Sequence, residues 1–187
     1  ILLAGSLSAA DLHLTGPGLE IRLNPDAGYA ITSLRDAATG RDFISESHKL
    51  PLYRIVLSRP DGSTREITSA SASSSSRKEI SAGAVMEFEH APEHLKVICT
   101  VHMDAGVPGV RWKIAIQNRG DFGVRSLFYP QWPAPERLTS NARENRLLYP
   151  FLDGQEFVDP GERIPVGRAH RSMYPGQAAL QMVAYHD

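Results

Sequence analysis

The stretch HLKVICTVHMD, residues 94 to 104, decides the fold class because apolar and polar side chains alternate along it. The apolar side chains fall on one face: Leu95, Val97, Cys99, Val101 and Met103. Only Ile98 interrupts the polar row on the other face. Successive side chains of a strand point to opposite faces, so the pattern predicts a strand with one buried face.

The following stretch, VRWKIAIQN at residues 110 to 118, repeats this alternation. The connector DAGVPG between them contains two glycines and a proline, which predicts an antiparallel hairpin. Six further segments carry strand patterns: 19–23, 29–36, 52–58, 84–90, 124–132 and 178–186. Many short strands separated by turn residues predict an all-β fold, an antiparallel β-sandwich.

The serine-rich stretch SASASSSSRKE, residues 69 to 79, has the composition of a linker. Too few residues precede it to form a stable domain. An exposed connection or a polar edge strand within one sandwich is therefore the favoured interpretation.

Charge and composition exclude several classes of partner. The chain has 187 residues, with 20 basic and 21 acidic side chains and a net charge of -1. Such a balance disfavours nucleic acid as a partner, and no apolar stretch approaches the length that spans a bilayer. The single cysteine, Cys99, falls in the apolar row of its strand and is expected to be a buried thiol.

The first ten residues, ILLAGSLSAA, have the apolar character of a secretory signal with a small-residue cleavage site. We interpret residues 1–10 as a signal-peptide remnant and expect a secreted or periplasmic protein of bacterial origin. The alternative is a short first strand or helix of the domain.

Residue patterns that announce catalysis are missing from the sequence, so no catalytic residue, metal ligand or cofactor is predicted. Glu87 and Glu89 share one strand face and resemble a carboxylate pair, but a solvated strand face explains them better. His90, His94 and His102 are expected to be exposed.

Sugar-binding groups are concentrated in and beside an irregular segment, residues 133–176, where alternation gives way to prolines, glycines and aromatics. Aromatic faces pack on pyranose rings, and charged side chains bond the hydroxyl groups. The candidate substrate-binding residues are Trp132, Asp153, Arg168, His170, Arg171 and Tyr174. The alternative for each is a structural role in fixing a long loop.

The order of NPDAGYAITSLRDAATGRDF, LLYPFLDGQEFVDPG and YPGQAALQMVAYHD resembles the N-terminal domain of an uncharacterised family of secreted, glycoside-hydrolase-like proteins. In that family a galactose-mutarotase-like β-sandwich precedes a (β/α)8 barrel. The resemblance implies that residues 11–187 are such a sandwich, incomplete at its C-terminus, and that a catalytic barrel is expected beyond residue 187.

Three functions follow as expectations. The first is a non-catalytic sandwich of a carbohydrate-active protein, with carbohydrate and the downstream barrel domain as its partners. The second is a sugar epimerase, mutarotase or lyase acting in the sandwich, which requires His94, His102 or His170 to meet a carboxylate in a concave pocket. The third is a carbohydrate-binding or adhesion module with a flat platform of exposed aromatics.

Overall fold

A computed structural model describes residues 10–45, 49–135, 137–149, 155–163 and 184–186. The chain divides into two compact units, Ile1–Pro133 and Ala134–Asp187. The division falls where the alternating pattern of the sequence gives way to the irregular segment.

Antiparallel strands build the first unit. They are β1 Leu12–Gly16, β2 Leu19–Asn24, β3 Ala30–Asp36, β4 Arg54–Ser58, β5 Thr64–Thr68, β6 Ser74–Ile80, β7 Gly83–His90, β8 Leu95–Met103, β9 Val110–Asn118 and β10 Gly123–Phe128. They form three sheets, with the strand orders β1-β2-β3, β10-β4-β5 and β6-β7-β8-β9. The predicted all-β, sandwich-like fold is confirmed.

The core of this unit is shared by all three sheets. The alternation predicted for residues 94 to 104 is complete in β8, where every second side chain is buried. Those side chains pack with Ile21 and Leu23 of β2 and with Ile55 and Leu57 of β4. The predicted hairpin is also confirmed, because β8 pairs with β9 from Leu95 opposite Asn118 to Met103 opposite Val110.

The serine-rich stretch begins with a 3-10 turn at Ser69–Ser71 and continues into an edge strand, β6. Among the strands that the structure describes, β6 pairs only with β7, and its side chains are mostly exposed. The edge position of β6 explains its composition, because serine and charged side chains at an edge oppose pairing with other chains.

The first hairpin turn has the geometry that its sequence NPDAG predicts. Asn24 Oδ1 accepts a hydrogen bond from the Asp26 amide at 2.8 Å, which begins a 3-10 turn over Pro25–Ala27. Gly28 ends the turn with φ of 64°, and its amide donates to Pro25 O. Glycine is favoured here because other residues are strained at positive φ.

Three antiparallel strands, β11 Arg146–Tyr149, β12 Gln155–Val158 and β13 Ala184–His186, build the second unit together with α1, a single turn at Pro160–Arg163. β11 lies inside the irregular segment 133–176, and β13 is the described part of the strand predicted at 178–186. Buried Asn145 precedes β11, and its Oδ1 accepts hydrogen bonds from the amides of Leu138 and Thr139.

No helix in the described part of the chain is long and apolar enough to cross a membrane.

Candidate functional site

Trp132 is the predicted sugar-binding residue whose geometry the structure describes. It follows β10 in the chain. That strand ends at Phe128, two residues before Pro130, whereas the sequence predicted a strand that extends to residue 132. Proline has no amide hydrogen and therefore cannot continue the ladder as a donor. The backbone after Pro130 instead bonds to the segment that precedes β4.

Two hydrogen bonds hold Gln131 to that segment. The Gln131 amide donates to Leu52 O at 2.9 Å, and Gln131 Nε2 donates to Pro51 O at 2.8 Å. On the other side of Trp132, the carbonyl of Pro133 accepts from the Ser45 amide at 2.7 Å. The backbone on both sides of Trp132 is therefore fixed.

The indole ring of Trp132 is itself oriented by a hydrogen bond. Nε1 donates to Phe43 O at 2.8 Å, and the residue nevertheless remains 50% exposed. Because Nε1 is already bonded to the protein, any exposed part of the ring offers a ligand carbon surface. The sequence left a structural role and a ligand-binding role as alternatives for Trp132. In the structure its side chain is bonded to the protein, and the residue is also half-exposed.

The segment around Phe43, whose carbonyl accepts the hydrogen bond from the indole, is fixed by the carboxylate of Asp42. Asp42 Oδ1 accepts from the amides of Leu34 and Ile44 at 3.0 Å each, and Ser33 Oγ donates to Asp42 Oδ2 at 2.5 Å. These bonds tie the chain around Phe43 to β3, so the acceptor of the Trp132 bond belongs to a fixed loop.

The other five candidates, Asp153, Arg168, His170, Arg171 and Tyr174, lie outside the described residues. Their positions relative to Trp132 stay a prediction.

His90 is buried, which corrects the expectation that it is exposed. It is 1% exposed, and its Nε2 shares a hydrogen bond of 2.7 Å with the Tyr53 hydroxyl. The reason is its place in β7, where Ala84, Met86 and Phe88 precede it on the same inward face. The alternation of β7 was the signal that could have predicted this burial.

A buried carboxylate lies close to His90 in sequence. Glu93 is 2% exposed, and Arg65 Nη2 is 2.7 Å from its Oε1. The contact is an ion pair without hydrogen-bond geometry, because Oε1 accepts no hydrogen bond from the described residues. We therefore treat it as charge compensation for Glu93 rather than as a directed bond.

Burial dominates the electrostatics of this cluster. Desolvation lowers the pKa of His90, opposed in part by the charges of Glu93 and Glu89 and assisted by Arg65. Burial also raises the pKa of Tyr53. A neutral imidazole bonded to a neutral phenol beneath the sheet has the chemistry of a proton-transfer pair, but neither group reaches solvent.

Of the other two histidines expected to be exposed, His94 is exposed but His102 is half-buried, and the carboxylate pair lies on a solvated face. His94 is exposed with φ of 51°, and His102 is half-buried on the outer face of β8. Lys96 Nζ lies 2.7 Å from Glu87 and 3.6 Å from Glu89. This ion-pair network confirms the solvated-face interpretation of the two glutamates.

Metal-ligating side chains are not clustered in the described residues, where no group of three His, Cys, Asp or Glu side chains is arranged to hold an ion. Cys99 is a buried free thiol, as predicted.

No protein-family model matches the chain, and no curated protein matches it.

Proposed function

We propose that this chain is the non-catalytic sandwich domain of a secreted carbohydrate-active protein, a glycoside hydrolase in its complete form, and that it contacts carbohydrate through Trp132. The observation that carries the proposal is that Trp132 is half-exposed although its indole Nε1 is bonded to Phe43 O.

A fixed aromatic face suits a sugar ring. The C–H groups on one side of a pyranose form an apolar surface, and packing them on an indole removes both surfaces from water. The Trp132 ring is already ordered by its hydrogen bond, so that little conformational entropy is lost on binding. A single ring of this kind gives weak affinity, with a dissociation constant on the order of 1 mM.

The buried position of the histidine and carboxylate supports a non-catalytic role for the described sandwich. A mutarotase or lyase site needs an acid and a base that touch the sugar. His90 and Glu93 are both sealed from solvent, and no carboxylate in the described residues is bonded to His94 or His102. The sugar isomerase or lyase alternative therefore depends on His170, which lies outside the described residues.

A flat aromatic platform, as in an adhesion module, receives less support. Among the exposed large hydrophobic side chains of the described residues, Trp132 is aromatic and the others are aliphatic. One ring fits a contribution to a larger cleft better than it fits a complete binding platform.

Intrinsic fluorescence tests the proposal, because the chain has two tryptophans, Trp112 and Trp132. We expect soluble polysaccharides to shift or quench the emission of the Trp112→Phe variant, which keeps Trp132 as its fluorophore. The Trp132→Phe variant, which keeps Trp112, should not respond.

Both variants are compared by circular dichroism to confirm that each folds. A polysaccharide response that persists in Trp132→Phe, or its absence in both the natural chain and Trp112→Phe across neutral, acidic and basic polysaccharides, would contradict the proposal.

A further inference from the structure

β9 and β10 follow each other in the chain but belong to different sheets. β9 pairs with β8 and β10 pairs with β4. Residues 119–122 join them at one end. Near the other end Tyr129 packs edge-to-face on Trp112, with ring centroids 6.0 Å apart, and donates to Lys113 O at 3.0 Å. Two edge strands thus run side by side at one border of the sandwich.

The core-facing side of this border is incompletely covered. Val124 pairs with Leu57 and Leu127 pairs with Ile55, so both lie on the face that buries these two partners completely. Val124 and Leu127 are nevertheless 44% and 40% exposed. Residues three apart in a regular strand point to opposite faces. A bulge at Arg125 shifts the register, so that Val124 and Leu127 point to the same face.

β9 shows the same incomplete burial. Its inward row contains Trp112 and Ile114, which oppose the fully buried Val101 and Cys99 of β8. Both β9 residues are only half-buried. An apolar strip therefore lies open between β9 and β10 in the described part of the chain.

The backbone of β9 suits the addition of another strand. Its nine residues are regular, without a bulge or a proline, and in the described residues its only strand partner is β8. Natural edge strands usually carry features that prevent pairing. In β6 these features are polar side chains, and in β10 a bulge. β9 carries the cations Arg111 and Lys113, which oppose pairing with another basic strand but not with an acidic one.

The border is basic although the chain as a whole is not. Residues 110–128 contain four cations against one carboxylate: Arg111, Lys113, Arg119 and Arg125 against Asp121. Arg111 pairs with Asp104 at 2.6 Å. The side chains of Lys113, Arg119 and Arg125 form no ion pair with any described residue. The Arg119 backbone is fixed, since its amide donates to His94 O at 3.0 Å.

We propose that this border, from β9 to β10, binds an extended acidic segment of a partner protein, which adds to β9 as a strand. Its backbone pairs with the free edge of β9, and its alternate apolar side chains cover Val124 and Leu127. Its acidic side chains face Lys113, Arg119 and Arg125. Backbone pairing supplies affinity in this mode of recognition, and the side chains supply specificity.

Charge selects this occupant over a second copy of the chain. Two copies that met through the same border would place Lys113, Arg119 and Arg125 against their own equivalents, and like charges across an interface oppose association. The proposal does not depend on carbohydrate binding, because Trp132 is not among the residues that it uses.

The test uses the full chain and a dye-labelled peptide that alternates glutamate and valine, with a twin in which lysine replaces glutamate. We expect fluorescence anisotropy at low salt to show saturable binding of the glutamate peptide. The lysine peptide should bind roughly tenfold more weakly or not at all.

Variants locate the site. Arg119→Glu combined with Arg125→Glu should weaken binding of the glutamate peptide by roughly tenfold, and Leu127→Ser should weaken it also. Ile80→Ser, a substitution at an exposed apolar residue of β6 at the opposite edge of the same sheet, is the matched control and should leave it unchanged. Trp132→Phe should also leave it unchanged, which separates this proposal from carbohydrate binding.

Absence of binding, equal binding of the two peptides, or binding unaffected by the charge reversals would overturn the proposal. Concentration-dependent self-association that Leu127→Ser abolishes would overturn it in favour of a second copy.

Discussion

His90 is a polar side chain in the mainly apolar core of the sandwich. His90 occupies an inward position of β7, where its bond to the Tyr53 hydroxyl satisfies the ring nitrogen. Phe88 packs edge-to-face on Tyr53, with centroids 5.2 Å apart, and places the phenol for this bond. A buried polar group without a partner costs about 1–3 kcal/mol, so each of the two side chains depends on the other for its hydrogen bond.

Protonation of His90 should destabilise the fold in acid. Burial lowers its folded-state pKa below the usual value of about 6.5, so at acidic pH the unfolded chain binds a proton that the folded chain does not. The free energy of unfolding should therefore decrease as the pH falls from 7 to 5. Urea denaturation at several pH values measures this dependence.

Substitution of His90 tests the origin of this pH dependence. His90→Gln should lower stability at pH 7, because the bond to the Tyr53 hydroxyl is disturbed, but flatten the pH dependence, because no imidazole remains at this position to bind a proton. A His90→Gln variant with the natural dependence would contradict the account.

Cys99 should be unreactive in the folded protein. Burial raises the pKa of its thiol to about 12, and the thiolate is the reactive form. We expect a thiol reagent at pH 8 to label the chain slowly, and rapidly once urea unfolds it. Fast labelling without denaturant would show that the thiol is accessible.

At the scale of the element, the turn between β2 and β3 depends on one glycine. A Cβ at Gly28 would lie 2.4 Å from Ala70 N, and the residue has φ of 64°. Gly28→Ala should therefore lower the free energy of unfolding by at least about 2 kcal/mol, from backbone strain and overpacking together.

Gly40 is the matched control for this prediction. Its φ is 71°, but nothing lies within 4 Å of a Cβ placed there. Gly40→Ala should cost only the strain of positive φ, about 1 kcal/mol. Equal losses in the two variants, measured by urea denaturation, would contradict the role assigned to close packing at Gly28.

Strands with an alternating apolar pattern could be predicted from sequence, and strands without one could not. β8 was predicted because each of its inward side chains is apolar, and all of them are buried. β5 was missed because Ile67 is its one buried residue, so TREIT shows no alternation. The pairing of β11 with β12 depends on contacts that no local pattern encodes.

At the scale of the whole molecule, the candidate site depends on distant segments. The bond from Trp132 Nε1 to Phe43 O joins residues 89 apart in sequence. Composition could identify Trp132 as an aromatic beside an irregular segment, but not the bond that orients its ring. The open border between β9 and β10 was likewise beyond sequence reasoning, because it requires knowing that consecutive strands enter different sheets.

The central claim is that the chain binds carbohydrate through the exposed ring of Trp132. Affinity electrophoresis in gels that contain soluble polysaccharide tests it most directly, because retardation detects even weak binding. We expect at least one polysaccharide to retard the natural chain, and Trp132→Ala to migrate as in a gel without polysaccharide. Equal retardation of the two proteins, or no retardation by any polysaccharide of a broad panel, would contradict it.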